Sequence, residues 1–501
     1  MAQVFDDTGL LRSNASIPAI TELRQVFYLF YKVELPFDKA QLSAAMLKFK
    51  EVDASIGTTV PFLKPKHFAA LVYAEEFITQ LFEGFDPKDI IPSHGPGVVA
   101  SGERPHEKRV FSTKYKVIHD VYPYYGFFYI NPHHLLCTVR HYRRRSVKEV
   151  GINKVLFVPK DSRGPRTIAC EPLEYQWLQQ GLRRSLYQWI ENHPLSRGRI
   201  NFTDQSVNQE LARLASIDDH FATIDLSDAS DRVSVWLVAR LFAGQPYLLK
   251  HLLALRSPHS RLPDGELVHL NKYAAQGSAL CFPIEAICFY ALAVGCARAA
   301  AAVSQTYVYG DDIIIPKRYA CDYISLLEEL RLKVNREKSC ISGPFKESCG
   351  TDYFRGVLVT PIKLRTVSAS SPADIASLVS TSNQLFDKGF YKTSLRLESL
   401  LQRFDIPFGK PNSPYLAYWS TRWDPPISLN RSRINVGLQV YERRVPVLTG
   451  VSYSDPGLDT LQRYGEYLRK VTQGWSPEFV AGSYAKRHKT RIRHRYVEIH
   501  K

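Results

Sequence analysis

The 501 residues are 45% hydrophobic and 23% charged, ordinary for a soluble globular protein and enough to bury a large core in roughly three domain-sized units. Lys and Arg (65) outnumber Asp and Glu (49), and this formal net charge of +16 predicts a polyanionic partner, either nucleic acid or an anionic surface. Membrane insertion is not expected, because the most apolar run (286–297) lies between Glu285 and Arg298 and is shorter than the roughly 20 residues a span needs. The first residues have neither a basic start nor an apolar stretch, so no secretory signal is read there. The eight cysteines (Cys137, Cys170, Cys281, Cys288, Cys296, Cys321, Cys340 and Cys349) form no Cys-x-x-Cys pair, and buried reduced thiols are expected.

In chain order, 1–90 alternates helix-like segments with polar breaks, and 68–85 reads as a helix with no evident chemistry. His94-Gly95-Pro96-Gly97 is a Gly/Pro turn. Arg140-His141-Tyr142-Arg143-Arg144-Arg145 is a basic cluster suited to phosphate contact, or a solvated face. In 154–172 two strand-like runs enclose a basic turn, so that Lys154, Lys160, Arg163 and Arg166 can project from a hairpin toward one anion. A nucleoside triphosphate suits them, since guanidinium groups grip phosphate in pairs and ammonium acts as a point charge; a solvated turn is the alternative.

A helix over 174–190 follows, then Asn-Phe-Thr-Asp-Gln-Ser-Val-Asn-Gln (201–209) leading into a polar helix. The segment 221–231 begins as a buried strand and ends in Ser and Asp. Asp225 falls at the strand end, where an apolar setting demands a partner for a carboxylate. Ser227, Asp228 and Ser230 suit a cap for the helix expected from Val233. At 272–285 a loop hinged on Gly277, with the Ser278 hydroxyl beside it, opens a long apolar helix running to about 302. Strand, tight turn and strand are read at 306–316, which lifts Asp311 and Asp312 onto a turn. Alternation sends the two carboxylates in different directions. Asp311 is read as the main metal ligand and Asp312 as its support, against a hairpin whose Asp residues merely suit the turn. Apolar residues at helical spacing over 373–404 predict packed helices, and the cationic run at 486–495 is either a solvated tail or a polybasic arm for RNA.

In order, these segments resemble the palm motifs of RNA-dependent RNA polymerases. Asp225 is similar to the first-motif aspartate, Gly277-Ser278 to the second-motif glycine loop, and Tyr309-Gly310-Asp311-Asp312 to the third motif. More closely, the chain resembles the replicase β subunits of the single-stranded RNA bacteriophages (leviviruses). The closer match rests on His94-Gly95-Pro96-Gly97, Asp204-Gln205-Ser206-Val207-Asn208-Gln209, Thr223 to Asp231, and Phe345-Lys346-Glu347-Ser348-Cys349-Gly350 with Phe354-Arg355-Gly356. The resemblance spans roughly 94–360. Gln276-Gly277-Ser278-Ala279 departs from the Met-Gly-Asn-Gly type of loop in the best-known members.

The resemblance implies an α+β right-hand polymerase. Fingers would be 1–220 with an insertion near 245–272, the palm 221–244 and 273–360, and a mostly helical thumb with its basic tail 361–501. It implies phosphodiester formation with two Mg²⁺ ions (Mn²⁺ substituting) about 4 Å apart on Asp225, Asp311 and Asp312. The triphosphate would meet Lys154, Lys160, Arg163 and Arg166. Lys338, in Asn335-Arg336-Glu337-Lys338, would protonate the leaving pyrophosphate unless it is a surface lysine. Asp231 and Ser278, beside Gly277, would sense the ribose 2′-hydroxyl. Implied partners are an RNA template, ribonucleoside triphosphates, host elongation factors Tu and Ts and a large ribosomal protein, in the bacterial cytoplasm. A reverse transcriptase shares the Tyr-x-Asp-Asp turn, but no aromatic follows Asp225 as a ribose gate. A non-catalytic RNA-binding virion protein would share the charge and would not need the ordered aspartates.

Overall fold

A computed structural model describes residues 1–404 apart from 58, 59, 104–106, 109, 130–132, 134, 135 and 137, then 406–409, 411, 413, 415–419, 432–454 and 486–498. Cys137, the side chains of His141 and Tyr142, and 455–485 lie outside what it describes. The fold is α+β, and by contacts the chain forms two compact units. The first comprises 1–24, 37–159 and 164–360; the second comprises 25–36, 160–163 and 361–501.

The first unit is organised around the helix Cys281–Ala299, which is apolar on all sides and therefore belongs inside a core. It is long and apolar enough to cross a membrane, yet nearly all of it is buried within the protein. Pro65–Leu81 crosses it closely, because a Cβ on Gly295 would stand 2.0 Å from the Ala70 carbonyl oxygen. Cys170, Cys281, Cys288 and Cys296 are buried, and the cysteines among the described residues are unpaired.

Beside this helix lies a three-stranded antiparallel sheet, in the order Phe221–Ile224, Asp312–Pro316, Tyr307–Tyr309. Its apolar residues are buried on both faces, so the register Ile313 to Ile224 and Asp312 to Tyr309 is set by packing. A second sheet orders Gly164–Cys170, Ile152–Asp161, His259–Arg261 and Leu267–His269, so the basic hairpin forms and the 245–272 insertion adds two strands to it. Helices Leu173–Asn192 and Ser206–Asp218 stand where the sequence predicts helices. Ser234, and not Ser227, Asp228 or Ser230, caps the following helix Val235–Leu241, accepting the Leu237 N–H. The His94-Gly95-Pro96-Gly97 turn wraps a buried ammonium: Lys108 Nζ donates to the carbonyls of Gly95 (2.8 Å) and Gly97.

In the second unit, Pro372–Asp387 begins with a capping box between Ser371 and Asp374 and packs on Tyr391–Leu401 around Ile375, Leu378, Leu385 and Leu397. The mostly helical region expected after residue 360 is corrected here. Among the described residues it holds more strand than helix, chiefly the antiparallel ribbon of Val440–Ser454 with Lys486–Glu498. The cationic run is thus a strand. Backbone pairing with 440–454 satisfies its polar groups, while long cationic side chains at Arg491, Arg493 and Arg495 stay in solvent and Ile492 turns toward the core.

Candidate active site

Antiparallel pairing of 221–224 with 312–316 brings Asp225 and Asp311, 86 positions apart, to the same end of one sheet. Gly310 makes possible the turn that joins Tyr307–Tyr309 to Asp312–Pro316 and carries Asp311. Its φ of +61° lies in the left-handed region, and a Cβ there would stand 2.1 Å from the Phe282 ring. Phe282 in turn packs edge-on against Tyr309, with ring centres 5.3 Å apart.

Asp225 is held by the turn 335–339. Asn335 Nδ2 donates to its Oδ2 (2.8 Å), and Lys338 Nζ stands 4.0 Å from the same oxygen. The backbone is bound as well: the Asp225 N–H donates to Ser339 Oγ (3.1 Å) and its carbonyl accepts the Asn335 N–H (2.9 Å). The pairing of Lys333–Val334 with Leu226–Ser227 delivers that turn.

Asp312 is held differently. Its Oδ1 accepts the Cys349 N–H (3.1 Å) and its carbonyl accepts Asn208 Nδ2 (3.2 Å). Cys349 and Gly350 both have positive φ and form the two-residue turn of the hairpin Phe345–Ser348 and Thr351–Phe354. Gln209 donates to the Cys349 carbonyl (3.2 Å), and Gln205 to the Tyr309 hydroxyl (3.2 Å). The polar motif at 204–209 is therefore a bracket for the aspartate turn. Sequence reasoning had found the motif only by resemblance, and it missed Asn335 and Ser339 as the supports of Asp225. No local signal marks them, because Asn335 and Ser339 reach Asp225 across 110 and 114 positions.

Asp311 is reached by solvent, yet the density of protein around it and the negative charge of Asp225 push its carboxyl above the ordinary range. Arg166 and Lys338 act in the opposite direction, so both cations lie within the field of Asp311. Burial, with Asp311 next, pushes Asp312 up to about 6. Near them Glu285 is buried on the core helix, and its Oε2 has no hydrogen-bond partner among the described residues. Burial, then the charges of Asp311 and Asp231, raises that carboxyl well above its usual value.

The remaining candidates separate. Arg166 and Lys154 are exposed on the first unit's hairpin strands. Lys160 and Arg163 belong to the second unit, where Arg163 is ion-paired to Asp161 (2.9 Å). Gly277 has φ +122°, and a Cβ would stand 2.3 Å from the Ala169 carbonyl oxygen, so this loop packs directly on the hairpin strand. Ser278 is buried and accepts the Leu280 N–H (3.3 Å). Asp231 is half-buried and ion-paired to the fully buried Lys272 (2.9 Å).

Among the described residues no three His, Cys, Asp or Glu side chains form a ready-made metal cage. The donors nevertheless fit a hard divalent cation: Asp225 and Asp311 are carboxylates whose mutual repulsion a cation would relieve. Asp312 already has a backbone partner and fits the supporting role.

A family model described as RNA replicase, beta-chain, matches residues 121–385, more than half of the chain and all three aspartates. The chain belongs to the RNA replicase β-chain family. Relatives in the family include the RNA-directed RNA polymerase subunit beta of Enterobacteria phage SP, 41% identical over 218 residues (42% of this chain and 36% of that protein). The protein of the same name from Escherichia virus Qbeta is 35% identical over 272 residues (51% and 44%). The chain thus spans less than half the length of these relatives. Among solved structures, the RNA-dependent RNA polymerase of a human picobirnavirus has a TM-score of 0.43 at 12% identity, over 77% of this chain and 78% of that one.

Proposed function

We propose that the chain is the catalytic subunit of a phage replicase, an RNA-directed RNA polymerase that copies the positive-strand genome of a single-stranded RNA bacteriophage. The observation that carries this reading is the meeting of Asp225 and Asp311 at one sheet end, within reach of Arg166 and Lys338. A binding protein has no need of repelling carboxylates gathered at one point, with Asp225 held by Asn335 and the neighbouring Asp312 held by Cys349 and Asn208.

Asp225 and Asp311 are the residues that would hold Mg²⁺, which when bound supplies positive charge to the attacking and leaving oxygens of the displacement. Asp312 keeps the turn in place through Cys349. Arg166, with Lys154, meets the triphosphate of the incoming nucleotide and orients its α-phosphorus. Lys338 stands near enough to Asp225 to supply a proton to the leaving pyrophosphate. Asp231, Gly277 and Ser278 line the ribose side.

In this reading the fingers are 1–220 with the 245–272 insertion, the palm 221–244 and 273–360, and the thumb 361–501. The family resemblance extends the proposal to host elongation factors Tu and Ts and a large ribosomal protein as partners in the bacterial cytoplasm. The test is nucleotide incorporation on an RNA template, with ribonucleotides against deoxyribonucleotides, with and without Mg²⁺. Magnesium-dependent incorporation of ribonucleotides alone supports the reading. Incorporation of deoxyribonucleotides would make the chain a reverse transcriptase, and RNA binding without incorporation would make it a non-catalytic RNA-binding protein.

A further inference from the structure

Three segments remote in sequence are tied together in the second unit. The Leu29 carbonyl accepts the Leu364 N–H (2.7 Å), and the Arg365 carbonyl accepts the Glu34 N–H (3.1 Å). Gln25 bonds both backbone polar groups of Ile362, at 2.8 and 2.9 Å. The tip of the basic hairpin joins them through Ser162, whose N–H and hydroxyl both donate to the Tyr31 carbonyl (3.2 Å each). Val33, Ile362 and Leu364 are buried beneath, in one core with the 372–401 helices. Such doubly anchored backbone makes a rigid support.

Aromatic rings and cations alternate on this support. Tyr28 and Tyr31 have ring centres 5.5 Å apart. The Arg163 guanidinium lies 4.7 Å from the Tyr31 ring centre, and the Lys363 ammonium 5.7 and 5.8 Å from the two rings. Asp161 fixes the Arg163 plane with two bonds, at 3.2 and 2.9 Å. In the same short segment Phe27 and Phe30 are 67% and 58% exposed. Two exposed phenylalanines within four residues, next to rings already overlaid by cations, form a surface patch and not scattered exposure. Charge on the three segments is positive: Lys32, Lys160, Arg163, Lys363 and Arg365 against Glu34 and Asp161.

We propose that this face binds single-stranded RNA, with unpaired bases stacking on Phe27 and Phe30 and phosphates meeting Lys363, Arg365 and the Arg163 edge. Aromatic faces accept any base, and interleaved cations track the backbone, so the chemistry suits a strand of arbitrary sequence. A protein-docking patch would instead gather apolar residues at its centre and leave charge to the rim. The choice of RNA over DNA rests on the replicase reading; the stacking chemistry does not.

The test uses the full chain, a short fluorescent oligouridylate, and an abasic ribose-phosphate oligomer of equal length, without nucleotides or divalent metal. Phe27→Ala with Phe30→Ala should weaken oligouridylate binding by about tenfold, leave the abasic oligomer unaffected and leave the melting temperature unchanged. Phe27→Trp with Phe30→Trp should keep wild-type affinity. Lys363→Gln should weaken both oligomers and flatten the salt dependence by about 0.7 in the log–log slope. A 4-thiouridine oligomer should photo-crosslink within residues 27–31. Wild-type oligouridylate affinity in the double Ala variant, equal loss of both oligomers, or loss of a protein partner with RNA binding intact would each overturn the proposal. Failure here with templated synthesis intact removes the platform and leaves the replicase reading standing. A chain that synthesises nothing yet loses oligouridylate on the double substitution does the reverse.

Discussion

Asp225 and Asp312 lie at the same end of one sheet and are held in opposite ways. The Asp225 carboxylate is gripped by side chains, the Asn335 amide and the Lys338 ammonium, from one short turn whose Asn335 N–H and Ser339 hydroxyl also bind its backbone. The Asp312 carboxylate is gripped by backbone, and its own carbonyl by a side chain. The Cys349 N–H bonds its carboxylate from a left-handed turn, and Asn208 bonds its carbonyl. The difference teaches where each carboxylate is vulnerable. Removing one amide should loosen Asp225, whereas Asp312 yields only when a turn changes shape. Asp311 precedes Asp312 on the same turn and lies in the field of Asp225, so it depends on both.

Breaking the turn side should have the larger effect. Gly310→Ala adds a methyl against Phe282 and forces an alanine to φ +61°, which together should destabilise the protein by roughly 2–4 kcal/mol and take templated synthesis with it. Thermal melting and incorporation assays measure both, and a neutral Gly310→Ala would mean that the turn is not tight. On the other side, Asn335→Ala should lower kcat by about a hundredfold with little change in KM or melting temperature, because it frees a carboxylate and leaves the fold alone. An equal rise in KM would show that Asn335 serves binding instead.

Much of this was legible in advance, for identifiable reasons. The aspartate turn announces itself because β-branched and aromatic runs flank a Gly, and the basic hairpin because its cations interrupt two apolar strands. The core helix is read from its uniform apolarity. The brackets were not legible as such. Asn208, Asn335 and Cys349 act through hydrogen bonds across 104, 110 and 37 positions, and no local periodicity records a bond of that span. The cationic run at 486–498 was ambiguous because strand pairing needs a partner sequence, 440–454, that carries no turn signal linking the two.

Two smaller effects sharpen the contrast from the basic hairpin, whose Arg166 acts on Asp311. Arg166→Ala should raise KM about tenfold for all four ribonucleotides alike, since a phosphate contact carries no base information. Selective loss of one nucleotide would make Arg166 a base reader. At the hairpin's base, burial raises Glu171 and Glu174 to about 7 each. The folded state therefore holds protons that the unfolded chain has released above about 4.3, so stability should fall from about pH 4.5 to 7 and level off beyond. Each group contributes a slope of about 1.4 kcal/mol per pH unit in that window. Glu171→Gln should flatten melting temperature against pH by one group's share, and an unchanged profile would show that Glu171 is ionised throughout.

The most direct measurement sets Asp311→Asn beside Asp312→Asn in Mg²⁺-dependent templated incorporation, with template affinity and melting temperature taken in parallel. Both substitutions keep shape and remove charge. Asp311→Asn should abolish synthesis, by at least about a thousandfold, with RNA binding and melting unchanged. Asp312→Asn should leave measurable synthesis, because the Cys349 N–H can still donate to the amide oxygen. Wild-type synthesis by Asp311→Asn, or a deeper loss in Asp312→Asn than in Asp311→Asn, would contradict the assignment of Asp311 as the metal ligand and Asp312 as its support.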